Sequence, residues 1–324
     1  MSDTLTPASN TTAAPEGVAP DAPRGLSPHA QLGHVIMLVN PLSGGVDAGA
    51  AEAAEAILAA YDCKASVVTL EQGQFDAQIQ AALDARPDVL FVLAGDGTAG
   101  SIAGRAGPDG PLVAPLPGGT MNMLPKALYG TGDWKVALKL ALEEGAPQCV
   151  AGGEVSDGNV TRAFYCAAIL GSPALWAPAR EAVRLGKFSL AWGYARRAIK
   201  RGFSGRLRYA LDGRAESRAE ALVLITPLIS RVMEENTGLE AAAMNPQRAA
   251  EVLRMAAHAV FDDWRQDPSV TTRSIRRATV RARSRIPTVI DGEPVLLRHE
   301  AQVRFIPKAF QALAPIPAAA EDCV

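Results

Sequence analysis

The sequence predicts an α/β fold in two parts: an N-terminal, doubly wound α/β domain over residues 33–145 and a C-terminal, mainly antiparallel β domain over residues 146–315. The chain has 324 residues, and at about 150 residues per domain this length is enough for two domains. In the first part, short apolar runs alternate with helical stretches, as in doubly wound sheets. In the second part, strand-like runs follow one another without regular helical crossovers.

Four strands and four helices are predicted in the first domain. Short apolar runs that end at turn residues are typical of buried parallel strands. They occur at 35–39, 66–70, 89–93 and 112–116. Helices are predicted at 50–61, 75–85, 98–105 and 134–144. Pro87 stops the second of these helices, because proline cannot continue a helix.

The second domain is predicted to be built mainly of strands. They lie at 160–170, 206–211, 221–225, 273–285, 288–290 and 302–306, and helical stretches near 178–201 and 240–264 interrupt them. Residues 1–32, rich in Ser, Thr, Ala and Pro, show no helix or strand period and are predicted to be a disordered tail. Residues 316–324 are predicted to be a short C-terminal tail.

The composition excludes several classes of protein. Hydrophobic residues make up 48% of the chain and charged residues 20%, so most of it can bury a core. The 32 Lys and Arg against 34 Asp and Glu give a net charge of −2, which excludes a globally basic nucleic-acid binder. No nucleic-acid partner is expected. The four cysteines show no paired short spacing, so neither a disulfide framework nor a structural zinc site is predicted.

The sequence carries no membrane-spanning run. Its apolar runs are far shorter than the roughly 20 residues that cross a bilayer, and no basic start with a following apolar stretch marks a secretory signal. We therefore expect a cytoplasmic protein whose only membrane attachment is peripheral, at the inner membrane face. The oligomeric state stays open.

A basic stretch in the second domain bears on that attachment. Residues 180–208 hold nine Lys and Arg and one acid, with aromatic residues interleaved. This pattern fits transient binding to an anionic membrane surface, and it fits equally a solvated face with its aromatic residues packed inside. Four further arginines would share one face if 276–285 is a strand: Arg277, Arg281, Arg283 and Arg285.

Loop 1, residues 40–45, follows the first predicted strand and reads Asn-Pro-Leu-Ser-Gly-Gly. Glycines let backbone N–H groups approach a phosphate closely, and Ser43 adds a hydroxyl. Loop 1 is not a P-loop, because the Lys-Ser/Thr ending is missing. Taken alone, it also fits a simple strand-to-helix turn.

Loop 2, residues 95–98, reads Gly-Asp-Gly-Thr and opens a predicted helix. The free N–H groups and the positive dipole end of that helix favour a phosphate. A carboxylate at Asp96 would repel a phosphate unless a cation such as Mg²⁺ lies between them. The alternative is an Asp-Gly turn in which Thr98 caps the helix.

Loop 3, residues 118–122, follows the next strand and reads Gly-Gly-Thr-Met-Asn. The side chains of Thr120 and Asn122 can hydrogen-bond a phosphate or a nucleotide. In doubly wound domains ligands bind beyond the carboxyl ends of the strands, where all three loops lie. A third glycine loop at this edge favours a phosphate site over coincidence.

Asp291-Gly292-Glu293 lies between two short predicted strands. Asp-Gly is a strong hairpin signal, so a plain hairpin turn accounts for it. Glu293 could also act as the general base that takes a proton from an attacking hydroxyl.

In their order along the chain, loops 1–3 and the Asp-Gly-Glu element resemble the diacylglycerol kinase catalytic-domain family, bacterial lipid kinases related to sphingosine and ceramide kinases. The resemblance covers about residues 33–315. It implies an ATP-binding α/β domain, a β-rich lipid-substrate domain and an active site in the cleft between them. Its implied cofactors are ATP and Mg²⁺, and its implied partner is a lipid substrate.

The resemblance also implies roles for individual residues. Glu293 would be the catalytic proton acceptor, supported by Asp291, and Asp96 would hold Mg²⁺ and the ATP phosphates. The implied nucleotide-binding set is Asn40, Pro41, Ser43, Gly44, Thr69, Gly95, Asp96, Gly97, Thr98, Gly118, Gly119, Thr120 and Asn122. The chain departs from the family's pattern at three places. The family usually carries Asn-Glu where this chain has Gly100-Ser101, and it usually carries an acidic residue where this chain has Met123 and Ala151.

The function predicted from these features is transfer of the γ-phosphoryl group of Mg·ATP to the hydroxyl of a lipid such as diacylglycerol. One alternative is a kinase for a soluble alcohol, as NAD kinases are; the missing Asn-Glu pair counts against it. A second alternative is a non-catalytic relative that binds a nucleotide or a lipid. The missing acids favour it, whereas Asp96 and Glu293 oppose it.

Overall fold

The computed structural model describes residues 26–28, 30, 32–171, 207–230, 237–244 and 270–316. Several predicted segments lie outside these residues. They are the tail up to residue 25, the helix at 178–201, the basic stretch as far as residue 206 and the C-terminal tail beyond residue 316.

Four parallel strands form the centre of the first domain. They are β1 (His34–Val39), β2 (Lys64–Thr69), β3 (Val89–Ala94) and β4 (Leu112–Pro117), in the order β2–β1–β3–β4. The helices are α1 (Ala50–Leu58), α2 (Phe75–Asp84), α3 (Asp96–Ala106), α4 (Met123–Tyr129) and α5 (Trp134–Glu144). All of β3 is buried, as expected for a parallel strand covered on both faces.

The strand order places a topological switch point between β1 and β3. From β1 the chain runs outward to β2 and then returns across β1 to form β3. Loops 1 and 2 leave the sheet at this point, where the crossover connections diverge and leave a crevice for ligands.

In its described residues, the second domain consists of strands. They are β5 (Gly145–Ser156), β6 (Thr161–Phe164), β7 (Ala167–Gly171), β8 (Leu207–Leu211), β9 (Ser217–Ala219), β10 (Ala221–Ile225), β11 (Leu239–Met244), β12 (Val270–Ile275), β13 (Arg277–Arg281), β14 (Ile286–Ile290), β15 (Glu293–Leu297) and β16 (Glu300–Pro315). The predicted fold class, a parallel α/β domain followed by an antiparallel β domain, is confirmed.

Two sheets face each other in the second domain. One is a six-stranded antiparallel sheet in the order β12–β11–β10–β7–β14–β15. The other contains β5, β6, β8, β9, β13 and β16. Alternate side chains of both sheets meet in one core; examples are Leu222 and Leu224 from β10 and Val303 and Phe305 from β16. This alternation is the pattern of sheet-on-sheet packing.

The long final strand joins the two domains. β16 lies beside β4 in parallel, where Ala312 pairs with Val113, and it pairs with β5 and β13 in antiparallel fashion. The parallel sheet therefore continues into the second domain as one ten-stranded sheet. This shared strand fixes where the elements of the second domain stand relative to loops 1–3.

The prediction of a helix at 240–264 is wrong for residues 240–244, which belong to strand β11. The run Glu-Ala-Ala-Ala-Met has high helix propensity, but it lies between β10 and β12 and pairs with both. Ala241 and Ala242 are buried on opposite faces of the sheet, where small side chains fit. Tertiary pairing overrides local propensity here, and residues 245–264 lie outside the described part.

Two predicted strands are each divided at a corner. The run at 160–170 becomes β6 and β7, and the run at 273–285 becomes β12 and β13, so that each run crosses from one sheet to the other. An aspartate closes each corner: Asp291 accepts backbone N–H groups at 165–167, and Asp212 accepts those of Arg276 and Arg277.

Part of the predicted N-terminal tail packs on the first domain. Ser27 is buried. Its N–H donates to the carbonyl of Leu142 and its hydroxyl to the carbonyl of Gly145, each over 2.7 Å. Ordered packing therefore begins before residue 33, because these two bonds anchor the chain to α5 and β5.

Candidate functional site

Loops 1, 2 and 3 lie side by side at the carboxyl edge of the parallel sheet, because they follow the neighbouring strands β1, β3 and β4. Hydrogen bonds connect them. The N–H of Gly95 donates to the hydroxyl of Ser43 over 3.1 Å, and the N–H of Gly45 donates to the carbonyl of Gly118 over 3.0 Å. The structure thus brings the three loops into one backbone-rich surface.

Loop 3 packs so closely on loop 2 that side chains are excluded. A Cβ atom on Gly118 would lie 2.7 Å from the backbone nitrogen of Ala94, and one on Gly119 would lie 2.7 Å from Cα of Gly95. Neither distance is compatible with a real side chain. These two glycines are therefore required by the close approach of loop 3 to the end of β3 and to loop 2.

The first turn of α3 opens toward this surface. The first backbone bond of the helix runs from the N–H of Ala99 to the carbonyl of Gly95 over 3.0 Å. The N–H groups of Asp96, Gly97 and Thr98 belong to the turn whose amides have no partner within the helix. Together with the positive end of the helix dipole, they favour an anion such as a phosphate group.

The side chains of Asn40 and Asn122 hold loops 1 and 3 in their conformation. Both are buried. The Oδ1 atom of Asn40 accepts the N–H of Leu42 over 3.0 Å, and Oδ1 of Asn122 accepts the N–H of Gly119 over 2.7 Å. Asn122 adopts a left-handed conformation with φ of 52°, which asparagine tolerates better than most residues. The polar atoms of both side chains thus hold the loops in place.

Four other residues of the predicted nucleotide-binding set are exposed at the same edge. They are Pro41, Gly44, Thr69 and Thr120. Thr69 ends β2, and its Cα pairs with that of Val39, the last residue of β1. Thr69 therefore stands beside loop 1, although it comes from the edge strand.

Asp96 connects loop 2 to the start of α4. Its Oδ1 atom accepts the N–H of Leu124 over 3.2 Å. This bond caps a helix whose first amides otherwise have no partner. The carboxylate lies near enough to Asp291 for its charge to help raise the pKa of that group.

Asp291 is held by three backbone amides of the corner between β6 and β7. Its carboxylate accepts the N–H groups of Tyr165, Cys166 and Ala167 over 2.7, 3.0 and 2.8 Å. Burial is the main cause that raises its pKa to about 6, the three N–H bonds lower it, and the charge of Asp96 raises it further. With both oxygens engaged, Asp291 fixes the turn that carries Glu293.

Glu293 reaches the first domain from the β14–β15 hairpin. Its side chain lies against Gly97 in the first turn of α3: a Cβ atom on Gly97 would stand 3.0 Å from the carboxyl carbon of Glu293. The preceding Gly292 approaches Met121 of loop 3. The structure therefore brings an exposed carboxylate of the second domain to loop 2, on a turn that lies beside loop 3.

Tyr165, Cys166 and Thr226 complete the contact between the domains and were missed in the sequence. Tyr165 is buried against α3, and its carbonyl accepts the hydroxyl of Thr226 over 2.6 Å. Burial raises the pKa of the Cys166 thiol, and the charge of Asp291 adds to this. The spacing of Gly97, Gly100 and Gly104 in a predicted helix is the signal that could have indicated a close contact there.

A concavity of about 820 Å³ lies elsewhere. Its lining includes Arg86, Asp88 and Pro111, which precede β3 and β4. It therefore opens at the amino edge of the parallel sheet, opposite to loops 1–3. Its position separates it from the carboxylates of Asp96 and Glu293.

Side-chain ligands for a metal ion are not clustered in the described ranges. Among the residues that the structure describes, no group of three or more His, Cys, Asp and Glu side chains is placed to hold a metal. Within the same ranges, no helix has the length and apolar character needed to cross a membrane.

The basic stretch at 180–208 lies outside the described residues except for its last two positions. The prediction that four arginines share a strand face is wrong for Arg283 and Arg285, because β13 ends at Arg281. Arg281 is paired with Glu300 and Glu216 at 3.0 and 3.4 Å.

The comparison with protein families matches residues 34–152 to the model of the diacylglycerol kinase catalytic domain. The resemblance found in the sequence is confirmed over this segment, and the family is one of kinases. No curated protein matches the chain.

Solved structures extend the likeness to both domains. A diacylglycerol kinase from Bacillus anthracis str. Sterne has a TM-score of 0.66 at 20% sequence identity, over 88% of this chain and 98% of that one. Two further structures from that organism are assigned provisionally as diacylglycerol kinases. Their TM-scores are both 0.64, at 17% and 18% identity, over 88% and 87% of this chain and 98% and 97% of theirs. At these identities the likeness shows the fold.

Proposed function

We propose that this chain is an ATP-dependent lipid kinase that transfers the γ-phosphoryl group of Mg·ATP to the hydroxyl of a lipid such as diacylglycerol. The observation that carries the proposal is the contact of Glu293 with Gly97. It places a carboxylate of the second domain at the helix end that three glycine loops surround. The family match over residues 34–152 supports the proposal.

The nucleotide would bind along loops 1–3. The N–H groups at the start of α3 face the position where phosphate charge is most favourable, and the glycine backbones allow close approach. Ser43 aligns loop 1 with loop 2 through the N–H of Gly95. Thr69 and Thr120 stand at the rim, where their hydroxyls can reach the rest of the nucleotide.

The donor set fits Mg²⁺. This ion commonly takes one or two protein carboxylates and completes its shell with phosphate oxygens and water. Asp96 is such a carboxylate, and its proximity to Asp291 creates a repulsion that a cation would relieve. When bound, the ion would neutralise charge on the transferred phosphoryl group.

The acceptor hydroxyl would be oriented by Glu293. The hydroxyl oxygen forms a bond to the γ-phosphorus, the bond from that phosphorus to the β-bridging oxygen breaks, and ADP leaves. The hydroxyl proton passes to the carboxylate of Glu293. Asp291 takes no proton in this scheme; its bonds to the corner at 165–167 keep the hairpin turn in place.

The test is transfer of label from [γ-³²P]ATP with Mg²⁺ to a mixed lipid extract in detergent micelles. The Asp96→Asn variant runs in parallel, because an amide still accepts the N–H of Leu124 but no longer attracts a cation. We expect a labelled, organic-soluble product that the variant forms at least about tenfold more slowly at limiting Mg·ATP. The product identifies the acceptor lipid.

Other outcomes separate the alternatives. Label found only in a water-soluble product, with NAD among the acceptors offered, would indicate a kinase for a soluble alcohol. Bound ATP without transfer to any acceptor would indicate a relative that binds but does not catalyse. Either outcome would overturn the proposed function.

A further inference from the structure

Helix α3 turns a face of glycines toward the second domain. Gly97, Gly100 and Gly104 are spaced three and four residues apart, so they lie on one side of the helix. Glycine is less favourable than alanine within a helix. Three glycines on one face therefore indicate that a neighbour packs closely against it.

That neighbour belongs to the second domain at each position. A Cβ atom on Gly97 would meet the side chain of Glu293. One on Gly100 would lie 3.5 Å from the ring of Tyr165, and one on Gly104 would lie 3.0 Å from its hydroxyl oxygen. The tyrosine ring thus lies lengthwise along the same face that Glu293 contacts one turn earlier.

Tyr165 is also fixed from the other side. Its N–H donates to Oδ2 of Asp291 over 2.7 Å, and Asp291 opens the turn that leads to Glu293. Its ring stands edge-on to Phe310 of β16, with centroids 5.1 Å apart and an interplanar angle of 82°. Only 2% of the residue is exposed, so the ring has little room to move.

We propose that Tyr165 is a positioning residue that sets the distance between Glu293 and the amino-terminal turn of α3. Its ring rests on the helix that carries loop 2, and its backbone holds the aspartate that fixes the Glu293 turn. The inference rests on the proposed function, in which Glu293 accepts the proton of the attacking hydroxyl. A displacement of about 1 Å can lower the rate of a reaction about a hundredfold. A shift of a few tenths of an ångström should therefore have a measurable effect on the rate.

The test uses Gly104→Ala. The new Cβ would lie 3.0 Å from the Tyr165 hydroxyl. The tyrosine must therefore move by a few tenths of an ångström to relieve this contact. We expect kcat to fall about threefold to tenfold, while the Kd for ATP changes less than about twofold. Alanine favours the helix, so a loss of folding is not the expected cause of the lower rate.

A second background makes the test specific. In Tyr165→Phe the hydroxyl is gone. Among the described residues, and apart from the helix's own backbone and the neighbours of Gly104 in the chain, that hydroxyl oxygen is the only atom within 4 Å of the Cβ position at Gly104. Adding Gly104→Ala to that background should leave kcat where Tyr165→Phe alone has it. Ser101→Ala, an exposed position on the same helix, controls for a general effect of alanine on α3. An equal loss in both backgrounds, or no loss in either, would overturn the proposal.

Amide hydrogen exchange provides a readout without activity. The N–H groups of Tyr165, Cys166 and Ala167 donate to Asp291, so displacement of the tyrosine should speed their exchange in Gly104→Ala. The double variant should exchange at the rate of Tyr165→Phe alone. If the wild type transfers no phosphate, the proposed function fails, and unchanged exchange in Gly104→Ala would independently contradict the positioning role.

Discussion

Replacing Asp291 by Asn tests which force dominates at the contact between the domains. Burial opposes ionisation of this carboxylate, whereas three backbone N–H groups favour it. The pKa rises from 3.8 to about 6, so burial is the stronger effect. Since one pH unit of rise corresponds to about 1.4 kcal/mol, ionised Asp291 costs the folded protein about 3 kcal/mol at pH 7.

The sign of the pH dependence follows from the raised pKa. The contribution of Asp291 to stability is fully present below pH 3.8 and is lost as the pH rises through about 6. Asparagine does not titrate. The free energy of unfolding of the wild type, relative to Asp291→Asn, should therefore fall by about 2 kcal/mol between pH 4.5 and 7.5.

Urea denaturation at a series of pH values, followed by tryptophan fluorescence, measures this difference. The control is Asp212→Asn, which makes the same change at the exposed aspartate that closes the other corner. Because Asp212 is exposed, this control lacks the burial that acts on Asp291. A difference for Asp291→Asn that is constant, or that grows with pH, would refute the reasoning.

Two further predictions concern the glycine loops. Gly118→Ala places a Cβ 2.7 Å from the nitrogen of Ala94 and should lower the free energy of unfolding by about 1–3 kcal/mol in urea denaturation. Gly49→Ala, which has open space, should change it by about 0.5 kcal/mol or less. Ser43→Ala removes the acceptor of the Gly95 N–H. If this weakens the free energy of ATP binding by about 1 kcal/mol, the KM for ATP should rise about fivefold at constant kcat. Ser66→Ala, exposed on β2, is its control, and an unchanged KM in Ser43→Ala would show that this bond does not align the loops.

The first domain could be predicted because its strands are buried on both faces. A run such as Val-Leu-Phe-Val-Leu at 89–93, short and bounded by turn residues, is typical of a fully buried strand. The three glycine loops could be assigned to one edge because parallel strands place their carboxyl ends together. Helix α4 escaped prediction because it has only seven residues and contains Pro125.

The second domain was harder to predict because its contacts are non-local. The Ala-rich β11 becomes a strand only through pairing with β10 and β12. The corner at Tyr165 and Cys166 depends on Asp291, which is 126 residues away from Tyr165. No periodicity in the sequence records that bond, and the role of Asp291 as an acceptor for three amides emerged only from the structure.

The most direct test of the account is Glu293→Gln, which keeps the shape of the side chain beside Gly97 and removes its ability to take a proton. The measurements are ATP binding by equilibrium dialysis and single-turnover phosphate transfer to the acceptor lipid. Glu55→Gln, at an exposed position of α1, removes one negative charge as a control. We predict that ATP binding is retained and that transfer falls about a hundredfold or more. Transfer at the wild-type rate in Glu293→Gln would contradict the central claim that this carboxylate serves the acceptor hydroxyl.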